Sequence, residues 1–435
     1  MNTSPLGNSP DVPFDDPNNG ESLPEFGVRI PDGGLQAWIV VLGGFINYFV
    51  VLGIMNSFNT FQNLYQLDPA PWPNADGKEI GWIGSSQLIV YLVGDLITGP
   101  IFDKWGARKP LFTGATFCLL SFVGAGYSTK FWHYILSQGV LFGATGALIM
   151  NPTALAISQW FSERITIALG VALSGAALGG VVWPFVIVEL LETLNLRQLH
   201  LVLAATTAPS VMIGCLLVRE RKGASGHDNH WRPSKRLQGG AENAIWDWRF
   251  LLLCFSLLSL HTGVVLPFSN ITRYAIYNQV PLRPAHALVP IMCGASGLGR
   301  IGTGWLAGKL GGFNIISPMA VFASLLVFCW IWVTSLIAQT AFAFIFGLLV
   351  GGLSPLGSSC VVHTTEDRGH IGSRLGVMSA ICAFGYLGSG PLTEVILERT
   401  SWTGVHVFSG SVCFIGALCI ITTRFCWEPK IWSKF

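Results

Sequence analysis

Residues Gly99-Pro100-Ile101-Phe102-Asp103-Lys104-Trp105-Gly106-Ala107-Arg108-Lys109 crowd four charges, two glycines and a tryptophan into a connection between two apolar runs. A solvent loop tolerates almost any polar sequence, so this one asks for a mechanical reason. Its flanks set the frame. Of 435 residues, 51% are hydrophobic and 11% charged, and mean hydropathy is +0.54. Soluble domains carry roughly a quarter charged residues. Lipid is therefore the expected solvent.

A helix needs about 20 apolar residues to cross a hydrocarbon layer of roughly 30 Å. Runs of that kind recur at 37–62, 80–102, 110–128, 131–157, 166–188, 198–218, 250–271, 285–307, 314–337, 340–362, 375–397 and 403–423. They predict twelve spans in an all-α integral membrane protein. The ten-residue alternating segments of a β-barrel are not visible. The 51 glycines suit helices that approach closely.

Polar segments divide the chain. Residues 1–31 are rich in Pro, Asn, Asp, Ser and Gly, and read as a disordered cytosolic tail without a cleavable signal. Residues 219–247 form a cytosolic linker between six-helix halves at 32–218 and 248–424, and 425–435 form a second cytosolic tail. With the N-terminus inside, 19 Lys and Arg fall on the cytosolic side and 6 on the other. That bias places both termini in the cytosol.

The halves repeat. Gly99, Lys104 and Gly106 recur as Gly304, Lys309 and Gly311, an offset of 205; Gly170 recurs as Gly376 at 206, and Pro152 as Pro355 at 203. Duplicated parallel halves suit a rocker-type secondary transporter with its solute near the midplane. The two prolines each remove a backbone bond, so bends in spans four and ten are expected.

Gly99-xxx-Asp103-Lys104-x-Gly106-x-Arg108-Lys109, between spans two and three of twelve, resembles the loop 2–3 signature of the major facilitator superfamily. The resemblance implies twelve helices in two pseudo-symmetric halves, and a latch that closes the cytosolic side in the outward-open state. Gly99 would allow close helix contact, with Gly106 in the turn that follows. Asp103 would sit at the start of span eleven, where a helix N-terminus favours an anion. Arg108 and Lys109 would pair with nearby acids such as Glu163. Asp32-Gly33-Gly34-Leu35-Gln36-Ala37-Trp38 and Trp160-Phe161-Ser162-Glu163-Arg164 are similar to segments of the monocarboxylate porter family, the first to its fungal branch.

Charges inside spans are functional candidates by default. Three occur: Asp95, Arg300 and Glu394. Asp95 and Arg300 are again 205 apart, hence at equivalent places in the two halves. Arg300 can bind an anionic group in bidentate fashion, and Asp95 can carry a coupling proton; the competing reading is an ion pair or locally satisfied charges that set the conformer balance. Glu394 is expected at the outer gate. Asn47, Asn56, Asn151, His261 and Ser354 could line the path, or bond between helices. The resemblance implies an anion role for Arg300. Two departures count against proton–monocarboxylate symport: Ser296 where animal members carry an acid, and Asn56 where they carry a lysine.

The expected function is secondary active transport of a small organic solute, a carboxylate or other organic anion, by alternating access. Export of a fungal secondary metabolite is the alternative, and a transporter-derived nutrient sensor a more distant one. Nucleotide-driven transport lacks its GxxxxGK[ST] loop, and no nucleophile–base set or histidine box suggests an enzyme. The nine histidines and ten cysteines show no metal spacing, and no disulfide is expected. No cofactor beyond a coupling proton, no metal and no nucleic-acid partner is expected. The expected setting is a monomer in the lipid bilayer of the plasma membrane. The sequon at Asn270 lies too close to span seven to be a good glycan acceptor.

Overall fold

A computed structural model describes residues 32–65, 77–162, 164–221, 247–365 and 371–427. The tail expected at 1–31 and most of the segments expected at 219–247 and 425–435 lie outside the described residues, apart from the last turn of α12 and the linker's ends. Twelve long helices follow in order. They are α1 (Leu35–Asn56), α2 (Gly77–Trp105), α3 (Arg108–Gly126), α4 (Phe131–Ser158), α5 (Ile165–Thr193) and α6 (Leu196–Leu217), then α7 (Trp248–Tyr277), α8 (Leu282–Leu310), α9 (Gly312–Trp332), α10 (Leu336–His363), α11 (Ile371–Arg399) and α12 (Trp402–Trp427). In hydrocarbon every backbone group must bond within its own segment, which is why apolar runs of this length become helices. Among the described residues, nine of the twelve are long enough and hold a stretch apolar enough to cross a membrane. The other three, α3, α8 and α11, carry charges or many small residues, such as Arg108 and Lys109 in the first turn of α3.

Large apolar side chains such as Leu120, Phe185, Phe322 and Phe384 stand exposed on the outside of the bundle, as lipid requires. Inside, the two halves pack by one plan. Helix α1 lies on α5 and α6 as α7 lies on α11 and α12; α2 lies on α4 as α8 lies on α10; α3 lies on α6 as α9 lies on α12. The halves meet through α5 against α8 and α2 against α11. We call the end holding the α2–α3 connection the base, and the opposite end the mouth.

One expectation is corrected. Span one does not run to residue 62: α1 stops at Asn56, where Ser57 bonds back to the Gly53 carbonyl through both its amide and its hydroxyl, at 3.2 and 2.8 Å. A separate short helix, Phe58–Tyr65, follows. Helix α4 contains a π turn at Ile135–Leu141. Pro152 and Pro355 sit inside helices that continue past them. Asn270 is 7% exposed and its amide bonds Leu266 O and Thr393 Oγ1, so the sequon is spent inside the bundle. All ten cysteines are free thiols.

Candidate functional site: a central cavity between the halves

The base is closed by contacts between the halves. Gly99 lies so close to the Gly372 carbonyl that a methyl group there would overlap it, and Gly304 packs likewise on Thr166 O. The Asp103 carboxylate accepts from the Ser373 hydroxyl at 3.0 Å, in the first turn of α11. It thus sits where the positive end of a helix favours an anion. Thr166 and Ser359 hydroxyls are 2.7 Å apart across the same boundary.

The loop's other groups hold its shape. Gly106 has φ +76° and Gly311, its repeat counterpart, +93°, a region that costs glycine least. Lys104 and Lys109 lie over the Trp105 ring at 5.5 and 5.3 Å. The acid that meets this loop is Glu220, which accepts from the Ala107 amide. Glu163, the partner expected for Arg108 and Lys109, lies outside the described residues. The two segments quoted before α1 and α5 also touch: Asp32 accepts from the Ser162 and Arg164 amides, and Trp38 meets Phe161 edge-on at 5.4 Å. Asp32 thereby serves the start of α5 as Asp103 serves the start of α11.

Above this floor lies a cavity of ≈ 460 Å³ between the halves. Its lining runs from Leu169 and Leu375, one turn into α5 and α11, to Gly84, Phe268 and Ser269 toward the mouth. The walls are mostly Leu, Met, Val, Phe and Ala, and Asp95 and Arg300 are the formally charged residues among the described lining. Asn56, Asn151, His261, Ser296 and Ser354 also line it. Asn47 does not. Its amide faces Thr153 Oγ1 at 3.5 Å, with the Gly214 backbone packed against it, so it bonds helices of the first half together. The side chain of Glu394 lies outside the described residues.

Each cavity charge reaches into the opposite half. Asp95, on α2 and 3% exposed, accepts from the Ser379 hydroxyl on α11. Arg300, on α8, donates through Nη1 to Leu173 O on α5. Glycines make room for both crossings: Gly376 packs on Asp95 O and Gly170 on Arg300 O, each too close for a methyl group. Asn151 donates to Asp95 O at 3.3 Å, which locks α4 to the same turn of α2. Tyr48, bonded to Met150 O at 3.1 Å, lies within electrostatic reach of Asp95 and Arg300 alike. His261 bonds Leu257 O through Nδ1 at 2.7 Å. A carbonyl only accepts, so that nitrogen carries the proton.

Sequence reasoning missed Tyr48, Gln87, Tyr91, Ser269 and Ser379 in the lining. For Ser379 a signal existed: it stands at offset 206 from Leu173, beside the Gly170–Gly376 pair. Gln87 carried one too, as a polar residue in mid-span.

A sealed floor and a cavity shared by two repeat halves are the layout of an alternating-access carrier. The family model of the Major Facilitator Superfamily matches residues 34–373. The chain belongs to that superfamily. It is 33% identical over 408 residues to the MFS-type transporter pynF of Aspergillus niger, covering 92% of this chain and 91% of that one. It is 26% identical over 410 residues to the aspyridones efflux protein apdF of Emericella nidulans, covering 93% and 82%. The solved structure of the superfamily transporter FucP in its outward conformation superposes with a TM-score of 0.67 at 14% identity, covering 88% of this chain and 98% of that one. That likeness carries the fold, while the family match and the relatives make this major facilitator protein a multi-pass membrane transporter of a small solute.

Proposed function

We propose that this major facilitator protein exports an amphipathic organic anion, of the kind fungi make as secondary metabolites, in exchange for protons. The observation that carries the reading is the cavity's make-up. A cavity of ≈ 460 Å³ falls within the range of about 300–1,000 Å³ that holds drug-sized ligands. A three-carbon acid would leave most of it empty. Apolar walls with one guanidinium suit a bulky apolar body bearing a single acidic group. The efflux role in the names of relatives such as apdF supports the outward direction.

In this reading Arg300 binds the anionic group and Asp95 carries the coupling proton, while Asn56, Asn151 and His261 orient the solute. The base faces the cytosol, the termini are cytosolic, and the Gly99–Gly372 and Asp103–Ser373 contacts are the latch that shuts the base. The conformer is then outward-facing. A single chain works alone in the plasma membrane and moves its solute unchanged. Contact between the DGGLQAW and WFSER segments supports a place in the fungal branch of the monocarboxylate porter family.

Ligand-induced thermal stabilisation of the purified protein tests the reading. Aromatic and polyketide-like organic acids should raise Tm, their methyl esters much less, and acetate, pyruvate and lactate hardly at all. Equal stabilisation by acids and esters would sink it.

A further inference from the structure

The two halves differ most plainly at the mouth. Helix α7 runs unbroken through Trp248–Tyr277, whereas its counterpart α1 breaks at Ser57 and turns into the short helix Phe58–Tyr65. That helix is fastened at its far end. Phe61 and Tyr65 are fully buried. The Tyr65 hydroxyl lies 2.5 Å from the Gln138 amide oxygen on α4 and 3.0 Å from His200 Nε2 on α6. The Tyr65 and His200 rings lie parallel, and Tyr134 packs against Tyr65 at 5.1 Å. All these partners belong to the first half, so the short helix moves with that half as one body.

Its near end reaches the cavity. The Phe58 ring lines the cavity wall and lies against Gly84 of α2, so close that a methyl group at Gly84 would overlap the ring. Phe268 and Ser269 of the unbroken α7 line the cavity from the second half. An aromatic ring held by a pinned helix on one half and an uninterrupted helix on the other thus line the same cavity.

We propose that Phe58 is the specificity-determining residue at the mouth: its ring, seated on Gly84 and positioned by the Tyr65–Gln138–His200 cluster, sets the largest solute that can pass. Solute choice then has two separate parts. Arg300 reads the charge, deep in the cavity, and Phe58 reads the bulk, near the mouth. The solute side of this rests on the reading of the cavity as an organic-anion site, but the gate itself does not.

Native Cys293 tests the gate without any solute. It lines the cavity beside Gly180 and Asn56. Its modification by a small maleimide and by a bulky aryl maleimide is followed by peptide mass spectrometry on the full chain in liposomes. Phe58→Ala should speed labelling by the bulky reagent several-fold and leave the small one nearly unchanged, while Phe58→Trp slows the bulky one. Gly84→Ala, which unseats the ring, gives a second route to a changed ratio if Phe58 variants fold poorly. Unchanged ratios in folded Phe58→Ala and Gly84→Ala would overturn the proposal. In a parallel arm, ω-phenylalkanoic acids of graded length are assayed for stabilisation, and Phe58→Ala should move the length optimum upward. If no acid stabilises the protein yet the labelling ratio shifts, the gate stands and the organic-anion reading falls. If acids stabilise it and neither ratio nor optimum shifts, the reverse holds.

Discussion

Asp95 on α2 accepts a hydrogen bond from Ser379 on α11, and so ties the two halves together at the floor of the cavity. The same tie exists in the repeat: Arg300, offset 205 from Asp95, donates to Leu173, offset 206 from Ser379. A pair of opposite charges at equivalent positions thus makes equivalent crossings, one through a side chain and one through a backbone carbonyl. Both crossings must break before the floor can open. A solute anion arriving at Arg300, or a proton arriving at Asp95, competes directly with one of them. Binding is then coupled to the conformer through differential contacts, as any ligand-driven shift requires.

Arg300→Ala should weaken binding of an acidic solute about 10- to 100-fold, since a charge-assisted hydrogen bond contributes about 1.5–3 kcal/mol. Binding of the corresponding ester should change little. Titration of acid and ester against wild type and variant by calorimetry checks this, and Arg300→Lys should recover part of the acid affinity because it keeps the charge and loses the fork.

The floor should be lockable. Thr166 and Ser359 hydroxyls are 2.7 Å apart across the halves, so the double variant Thr166→Cys/Ser359→Cys should form an oxidant-dependent disulfide that stops transport, with full recovery on reduction. Neither single variant should respond to oxidant. A double variant that transports equally well when shown by mass spectrometry to be cross-linked would contradict the closed floor as an obligatory partner of an opening one.

Gly99→Val should act the opposite way. Gly99 abuts the Gly372 carbonyl too closely for any side chain, so the variant cannot close the base. It should fold, label readily at cysteines introduced beside the floor, and transport slowly. Its kcat falls while ligand affinity measured in detergent stays near that of wild type.

Asn47→Ala should separate structure from site. The amide is fully buried and bonded within the first half; losing a buried polar partner costs about 1–3 kcal/mol. Thermal stability should drop while KM for any transported solute is unchanged. A changed KM at unchanged stability would place Asn47 in the path after all.

Much of this architecture was legible because lipid narrows the choices: an apolar run of span length has to be a helix. The repeat offsets then related Gly99 to Gly304 and Asp95 to Arg300 before any contact was known. What hydropathy could not read was where an apolar run stops being a span. Residues 57–62, Ser-Phe-Asn-Thr-Phe-Gln, hold two phenylalanines at helical spacing after that run, yet α1 ends at Asn56. Nor could it read which face of a helix looks inward. Asn47 and Asn56 share one span, nine residues apart, and only Asn56 meets the cavity. That Asp103 meets the start of α11 could be foreseen because a helix N-terminus is a general anion site. Glu220, which meets this loop at the Ala107 amide, was not foreseen, because it follows the end of α6, far away in sequence.

The central claim is that Asp95 couples protons to an anion held by Arg300. Its most direct test is accumulation of an amphipathic organic acid in proteoliposomes driven by an imposed pH gradient, compared with solute exchange without one. Asp95→Asn should abolish gradient-driven accumulation and leave exchange near the wild-type rate, whereas Arg300→Ala should impair both. Undiminished gradient-driven accumulation by folded Asp95→Asn would contradict the account.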